Sequence, residues 1–174
     1  MRALPAILRQ NPECEVVIVG GNNVSYGTFP PEGGGWKARL LREVGGLIDT
    51  KRVHFIEYLP YDSFVSLLQR SWAHVYLTYP FVLSWSLREA MAIGCPLVAS
   101  DTAPVKEFLT ESVHARLVPF LEPKEIAEKV IELLEDREQA HRLGLAVRRE
   151  AETRMEMNLC LTLYQELIDS IARK

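Results

Sequence analysis

The sequence from Ala73 to Asp101, AHVYLTYPFVLSWSLREAMAIGCPLVASD, predicts a strand, a helix and a second strand. Residues 73–78 and 96–100 are short apolar runs, whereas residues 84–93 have helical spacing and end at a glycine. A strand, a short helix and a strand of this size form one parallel crossover unit. We therefore expect a ligand site where the first strand ends and the helix begins, because open parallel sheets bind ligands at such junctions.

This junction, Tyr79 to Ser86, has the chemistry of an anion-binding site. Unpaired backbone N–H groups and the positive end of a helix dipole meet there, and Ser84 and Ser86 add small hydroxyl groups. The run SLRE at residues 86–89 also matches a capping box, in which Ser86 caps the helix and Glu89 reaches back to a free amide. The pattern alone leaves Glu89 two roles, helix capping and ligand binding.

Apolar strands and amphipathic helices alternate along the rest of the chain. This alternation predicts an α/β fold, a doubly wound parallel sheet of the Rossmann-like kind with additional C-terminal helices. The other predicted strands cover residues 15–19, 52–56 and 116–118, and the other long helices cover residues 1–10, 36–48, 62–71, 123–134, 137–155 and 159–172.

Two loops near the predicted sheet edge are rich in glycine. Gly20 and Gly21 follow the strand at residues 15–19, where they serve either a tight turn or a phosphate loop, although the full GxGxxG fingerprint does not occur. Residues 24–35 form a longer loop with several glycines and prolines. This loop is either a lid over the ligand pocket or a surface excursion.

Length and composition exclude several classes of protein. The chain has 174 residues, 48% of them hydrophobic, and a net charge of -3, which suits one globular domain. A nucleic-acid binder would need a strongly basic surface, and no basic run occurs. No apolar stretch approaches the roughly 20 residues of a membrane span. The first residues lack the apolar core of a signal peptide, so we expect a cytoplasmic protein.

The cysteines and histidines do not form a metal-binding pattern. Cys14, Cys95 and Cys160 are far apart in the sequence and have no CxxC spacing, so we expect core thiols rather than disulfides or zinc ligands. His54 and His74 fall within predicted strands and are expected to be packed or edge residues. Neither an Asp-x-Asp motif nor a histidine cluster occurs, so no metal site is predicted.

The run EAMA at residues 89–92, followed by GCPLVASD at residues 94–101, resembles the signature of the group 1 (family 4) retaining glycosyltransferases. The resemblance covers about residues 14–165 and is most specific in this segment. Enzymes of that family have the two-domain GT-B fold, and the glutamate that matches Glu89 holds the ribose hydroxyls of the nucleotide sugar. The resemblance therefore implies that residues 1–174 are the donor-binding, C-terminal half of such an enzyme.

The sequence departs from the family pattern just before this helix. The family has a first glutamate at the place of Phe81, and a phenylalanine cannot accept a hydrogen bond from a sugar hydroxyl. Among the small residues that usually follow, only Ser84 is retained, so close backbone approach to the donor is expected around Ser84, Trp85 and Ser86. We interpret Phe81 as the mark of a subgroup with altered donor contacts.

Another loop is assigned through the resemblance. The segment that contains Tyr58 and Leu59 matches a family loop that contacts the nucleobase, mostly through its backbone. Tyr58 either lies against the base or packs beside the following helix. Tyr58 and Leu59 complete the expected donor site. Its other members are Gly20, Gly21, Phe81, Ser84, Trp85, Ser86 and Glu89.

The resemblance also implies what lies outside the chain. Family members carry an N-terminal acceptor-binding domain, and the Arg and Lys that grip the donor pyrophosphate precede the strand at residues 15–19. We therefore expect a fragment of a longer protein that binds donor weakly and transfers nothing alone, so no catalytic residue is assigned. Its partners would be the nucleotide-sugar donor, which is a substrate rather than a cofactor, and the missing domain. Any peripheral membrane association would occur through that domain.

The last helix has an apolar face that carries Leu163, Leu167 and Ile171. This face should be exposed when the N-terminal domain is absent.

Two other functions remain open at this point. Phe81 is consistent with a non-catalytic interaction or sensor domain that keeps the fold but has lost donor binding. A sugar-nucleotide epimerase would share the GT-B arrangement, but the EAMA run favours a transferase. The interpretation as a transferase implies synthesis of a polysaccharide, glycolipid or glycoside.

Overall fold

The computed structural model describes residues 1–22, 24 and 27–173. Within these residues, strands and helices alternate as the sequence predicts. The strands are β1 (Val16–Val19), β2 (Val53–Ile56), β3 (His74–Tyr76), β4 (Leu97–Ser100) and β5 (Arg116–Val118). The helices are α1 (Leu4–Gln10), α2 (Trp36–Val44), α3 (Tyr61–Arg70), α4 (Trp85–Ile93), α5 (Ala103–Lys106), α6 (Pro123–Glu135), α7 (Arg137–Arg154) and α8 (Met157–Ala172).

The boundaries agree with the predicted ones to within a few residues, and the largest difference has a local cause. The helix predicted over residues 36–48 ends at Val44, and Gly45–Leu47 continue as one 3-10 turn. Glycine loses more conformational freedom in a helix than other residues do, so a Gly-Gly pair weakens the last α-helical turn.

Every strand pair among the described residues is parallel, and the strands form two sheets. β1 pairs with β2, and β3, β4 and β5 pair in that order. The predicted doubly wound α/β class is confirmed. The single continuous sheet implied by that prediction is not seen, because β1 and β3 do not pair with each other.

Two apolar clusters hold the helices against the two faces of these sheets. The first joins α1 and α6 to both sheets, through Val53 of β2 and Val98 of β4. The second lies on the opposite face, because Leu97 and Ala99 alternate with Val98 along β4. It packs α3, α4 and α7 around Leu87 and Met91, which are fully buried. Both faces of β4 are therefore covered by helices, as expected for a central parallel strand.

Two glycines allow α4 and α7 to approach each other closely. Gly94 ends α4 in the left-handed conformation at φ +80°, and its N–H bonds back to the last turn of the helix. A Cβ atom on Gly94 would lie 3.0 Å from the carbonyl oxygen of Gly144 in α7. A Cβ atom on Gly144 would collide with the carbonyl oxygen of Gly94. This backbone contact fixes the helix that carries the EAMA run.

The last helix is attached differently from the others. α8 has no buried residue, and its apolar side chains Leu163, Leu167 and Ile171 are exposed, as expected from the sequence. None of the helices within the described residues combines the length and the apolar character that a membrane crossing needs.

The expectation that all three cysteines are core thiols is confirmed for Cys95 and is wrong for Cys160. Cys95 is buried and unpaired, and its burial raises the pKa of the thiol to about 12. Cys14 is half-buried in the turn between α1 and β1, where it packs against the first apolar cluster, and Cys160 is half-buried on the exposed helix α8.

Candidate functional site

Within each sheet the strands are parallel, so the loops after β1 and β2 leave one edge together, and the loops after β3 and β4 leave one edge together. Side chains tie these loops together in pairs. The Asn22 amide donates to the Glu57 carboxylate at 2.5 Å, which links the loops after β1 and β2. The Thr78 N–H donates to Ser100 Oγ at 2.7 Å, which links the ends of β3 and β4. The carboxyl edge is therefore organised as two loop pairs.

The N-terminus of α4 opens at the second pair. Ser84 is the N-cap, in an extended conformation, and its Oγ accepts a hydrogen bond from the Leu87 N–H at 3.2 Å. Ser86 lies within the first turn, where its hydroxyl is 3.0 Å from that of Ser84. The capping-box alternative for residues 86–89 is therefore wrong, because the cap is two residues earlier and Glu89 is too far along the helix to reach a cap amide.

Glu89 consequently has no capping function. It is half-buried, and no hydrogen bond or ion pair among the described residues engages its carboxylate. The fully buried face of α4 contains Leu87, Ala90 and Met91, so Glu89 and Ser86 lie together on the flank of that face. Helical side chains lean toward the helix N-terminus, which directs Glu89 toward the carboxyl edge of the strands.

The loop before α4 presents a mostly exposed aromatic and apolar surface. Phe81 is 62% exposed and Trp85 is 77% exposed, and Tyr79 packs edge-on against Phe120 with 4.8 Å between ring centroids. The Arg88 guanidinium lies 5.2 Å from the centroid of the Trp85 ring. In contrast, Leu83 is buried in the second apolar cluster and anchors the loop.

The loop after β2 exposes one of its two candidate residues. Tyr58 is 79% exposed, so its ring does not pack against α3, which was one of its two expected roles. Leu59 is half-buried and lines a cavity of ≈ 290 Å³ together with α3 and the side chains of Val17 and Ile56. These two residues therefore face different surroundings, open solvent and a recess between the sheet and α3.

A backbone hydrogen bond to the sheet positions the glycine loop after β1, and no neighbouring atom would contact a side chain there. The Gly20 N–H donates to the Ile56 carbonyl at 2.9 Å, which extends the β1–β2 ladder by one bond. A Cβ atom at Gly20 or Gly21 would meet nothing within 4 Å. Both glycines are exposed, so a ligand at this edge could approach their backbone.

The described part of the predicted lid is attached to α2. The Trp36 indole N–H donates to the Thr28 carbonyl at 2.9 Å, and Glu32 pairs with Arg39 at 3.3 Å. Within residues 27–35 these contacts favour a surface excursion over a lid. Ser25 and Tyr26 belong to the same predicted loop and lie outside the described residues.

A second recess, which the sequence did not predict, lies beside the carboxyl end of β1. A cavity of ≈ 380 Å³ lies between the loop after β1 and the start of α2, lined by Asn22, Phe29, Gly35, Lys37, Ala38 and Leu41. The Lys37 ammonium lies 4.3 Å from the centroid of the Phe55 ring. A lone lysine after a glycine run carries no motif, so the sequence gives no signal for this placement. Among the described residues, no group of three or more His, Cys, Asp or Glu side chains could hold a metal ion.

Comparison with known proteins identifies relatives of this arrangement. Residues 1–150 match the family model of the glycosyl transferases group 1. Spore coat protein SA of Bacillus subtilis (strain 168) is 27% identical in an alignment of 173 residues that covers 95% of this chain and 44% of that protein. Anabaena Alr3699/HepE in complex with UDP-glucose is 18% identical with a TM-score of 0.78, over 100% of this chain and 45% of that chain.

A separately solved domain is similar over most of its length. The C-terminal domain of the glycosyl transferase group 1 family protein LpcC from Francisella tularensis has a TM-score of 0.75 and 18% identity, over 90% of this chain and 77% of that one. The chain spans less than half the length of spore coat protein SA and of the Anabaena protein. These structures share the doubly wound fold, and the match over residues 1–150 shows that this chain belongs to the group 1 glycosyl transferases.

Proposed function

We propose that residues 1–174 form the nucleotide-sugar-binding domain of a retaining glycosyltransferase. The domain would be the C-terminal half of a longer enzyme, in which an N-terminal domain binds a glycan, lipid or small-molecule acceptor. The donor is a substrate, and the proposal includes no further cofactor. Family membership supports the transferase class, and the bound UDP-glucose of the structurally similar Anabaena protein supports a nucleotide-sugar ligand.

One observation carries this proposal, the half-buried carboxylate of Glu89 without a partner among the described residues. A half-buried charged group is retained at low cost only where it is solvated or paired. A carboxylate accepts hydrogen bonds with two oxygens, and the two hydroxyls of a ribose ring are matching donors. Because the position of Ser84 excludes capping, the carboxylate of Glu89 is available to bind a ligand.

The same helix supplies the anion-binding part of the proposed site. The first amides of α4, at Trp85 and Ser86, have no acceptor within the helix. They point toward the carboxyl edge, where a helix dipole favours a phosphate. Glu89 would hold the ribose one turn further along. Phe81 would offer the transferred sugar an apolar contact instead of a carboxylate.

Donor titration with a matched pair of variants tests this assignment. UDP-, GDP- and ADP-sugars are titrated into the chain by calorimetry, and we expect weak binding. Glu89→Gln should weaken the affinity for the best-bound sugar nucleotide about tenfold or more. The reason is that hydrogen bonds to a charged group contribute about 1.5–3 kcal/mol. The melting temperature should stay unchanged, since Glu89 has no intramolecular partner. Glu125→Gln is the control, because Glu125 is an acid in the first half of another helix, α6, and its exposed position makes the same change of net charge away from the candidate site.

The opposite pattern would reject the assignment. If Glu89→Gln lowers the melting temperature and leaves donor affinity unchanged, Glu89 is a structural residue. If Glu125→Gln weakens binding equally, the effect is one of net charge.

A non-catalytic interaction domain is the second candidate, and the exposed apolar loop before α4 favours it. Phe81 and Val82 are largely exposed, and such a surface suits a protein partner as well as a sugar. Absence of binding to all three nucleotide sugars, in the chain and in the full-length protein, would favour this candidate. The alternative of a sugar-nucleotide epimerase has no supporting observation in this site.

A further inference from the structure

The candidate donor site has a direction along α4. The first amides of this helix lie at Trp85 and Ser86, and Glu89 follows about one turn later. In a nucleotide sugar, the two phosphates lie between the ribose and the sugar that is transferred. With the ribose at Glu89 and the phosphates at the first amides, the transferred sugar lies ahead of the helix, over the loop that joins β3 to α4.

The loop that joins β3 to α4 is held at both ends. At its start, the Thr78 N–H donates to Ser100 Oγ at 2.7 Å, which fixes the chain at the carboxyl end of β4. At its end, Leu83 is buried in the second apolar cluster, and Ser84 caps α4. Residues 79–82 therefore form a surface whose position is set by the fold, next to the first amides of α4.

The exposed part of this loop is apolar. Residues 80–83 have the sequence PFVL, in which no side chain has a polar atom. Phe81 is 62% exposed and Val82 is 68% exposed, so both side chains are accessible to a ligand. The ring of Tyr79 packs edge-on against Phe120. A sugar over this loop therefore contacts aromatic and aliphatic carbon atoms.

The polar side chains at the neighbouring end of β4 are engaged in contacts of their own or buried. Ser100 Oγ accepts the backbone hydrogen bond that fixes the loop. The Asp101 carboxylate is paired with the Lys106 ammonium at 2.5 Å. Thr102, the next residue, is buried. Residues 100–102 therefore add no unengaged carboxylate beside the apolar surface.

An apolar surface discriminates between a hydroxyl group and a methyl group. A hydroxyl group that loses water there without gaining a hydrogen bond costs free energy. A methyl group loses no hydrogen bond, leaves water favourably and gains dispersion contacts with the Phe81 ring. The loop therefore favours a sugar that has a methyl group where a hexose has a hydroxymethyl group. An acetamido group also ends in a methyl group, but its amide needs a donor and an acceptor, which the side chains of residues 80–83 do not supply.

We propose that the group transferred from the donor is a 6-deoxyhexose, with its C6 methyl group seated on Phe81 and Val82. The inference rests on the proposed function, because the position of the sugar follows from the ribose at Glu89. It adds the chemical class of the sugar and makes Phe81 a specificity-determining residue.

Matched pairs of donors test the class of sugar. UDP-glucose, GDP-mannose and ADP-glucose are each titrated into residues 1–174 beside their 6-deoxy analogues, with UDP, GDP and ADP as references. In the pair that carries the best-bound nucleotide, we expect the 6-deoxy sugar to bind about fivefold or more tighter. The factor is moderate, because an apolar surface rejects an added hydroxyl group less strongly than a hydrogen-bonding site rejects an analogue that lacks one.

Variants at one loop position test where the preference arises. Phe81→Glu should reverse the preference, because a carboxylate accepts a hydrogen bond from the C6 hydroxyl group and loses hydration against a methyl group. Phe81→Leu should keep it, since leucine is also apolar. Val113→Glu is the matched control, because it makes the same change of charge at an exposed apolar position ahead of β5, at the opposite end of the strands. This control should keep the preference.

The outcomes separate this inference from the proposed function. If nucleotides bind and Glu89→Gln weakens them, equal affinity for the deoxy and hydroxylated sugars overturns the sugar class and leaves the donor site intact. Tighter binding of the hydroxylated sugar, or of UDP-N-acetylglucosamine than of UDP-6-deoxyglucose, overturns it in the same way. A deoxy preference that persists in Phe81→Glu places the methyl group elsewhere and also overturns the inference. If no nucleotide or nucleotide sugar binds, the proposed function fails and the inference fails with it.

Discussion

The sheet of β3, β4 and β5 is much better buried than the sheet of β1 and β2. All four residues of β4 are buried, whereas β1 alternates between half-buried and exposed residues. The buried sheet packs against α4, whose backbone is fixed on α7 by Gly94 and Gly144. The difference teaches that the helix with Glu89 is firmly held by buried packing, while the β1–β2 side is held by fewer buried side chains.

The largest effect should come from the helix contact in the buried half. Gly144→Val would drive a side chain into the Gly94 backbone, which cannot move without displacing α4. We expect the free energy of unfolding to fall by about 3 kcal/mol or more, measured by urea denaturation. Gly45→Ala is the control, since a Cβ atom there meets nothing within 4 Å, and it should change stability by less than about 1 kcal/mol. Equal stability of both variants would show that α4 is not fixed by this contact.

Truncation of one strand residue in each half should give unequal losses. Leu97 in β4 is 0% exposed, so Leu97→Ala should lower the free energy of unfolding by about 2–5 kcal/mol. Val17 in β1 is partly exposed, so Val17→Ala should lower it by less than about 1 kcal/mol. Similar losses at both positions would contradict the contrast between the halves.

A smaller effect concerns His74, which lies in β3 at the border between the halves. Burial lowers the pKa of His74 below its usual value of 6.5. The unfolded chain then binds the proton more readily, so stability is present above pH 6.5 and decreases as the pH falls toward the lowered pKa. His74→Gln should reduce this decrease between pH 7 and pH 5, whereas His141→Gln, on an exposed part of α7, should not. An unchanged pH dependence in His74→Gln would mean that the β3 edge is well hydrated.

The sequence predicts the elements of this fold well because their signals are local. Runs such as VVIV in β1 and the glycine after α4 determine a strand and a helix end through neighbouring residues only. The cap at Ser84 rather than Ser86 could not be chosen in this way, because both serines precede apolar helical residues. The choice depends on Leu83, which is buried in the second cluster and sets where the helix begins.

The sequence predicts which residue types form the candidate site, but not which groups surround them in the fold. The motif assigns Glu89 a ligand role, yet its freedom from intramolecular partners is a result of three-dimensional packing. The split between two sheets is equally invisible in sequence, since parallel strand order joins residues that are far apart along the chain. Lys37 and the link between Asn22 and Glu57 belong to the same class of long-range placements.

A crystal structure of residues 1–174 with a nucleotide sugar tests the central claim most directly. We predict both ribose hydroxyls within about 2.5–3.2 Å of the Glu89 carboxylate oxygens, with the phosphates at the first amides of α4. A nucleotide sugar bound with its ribose away from Glu89, or with Glu89 turned to solvent, would contradict the account.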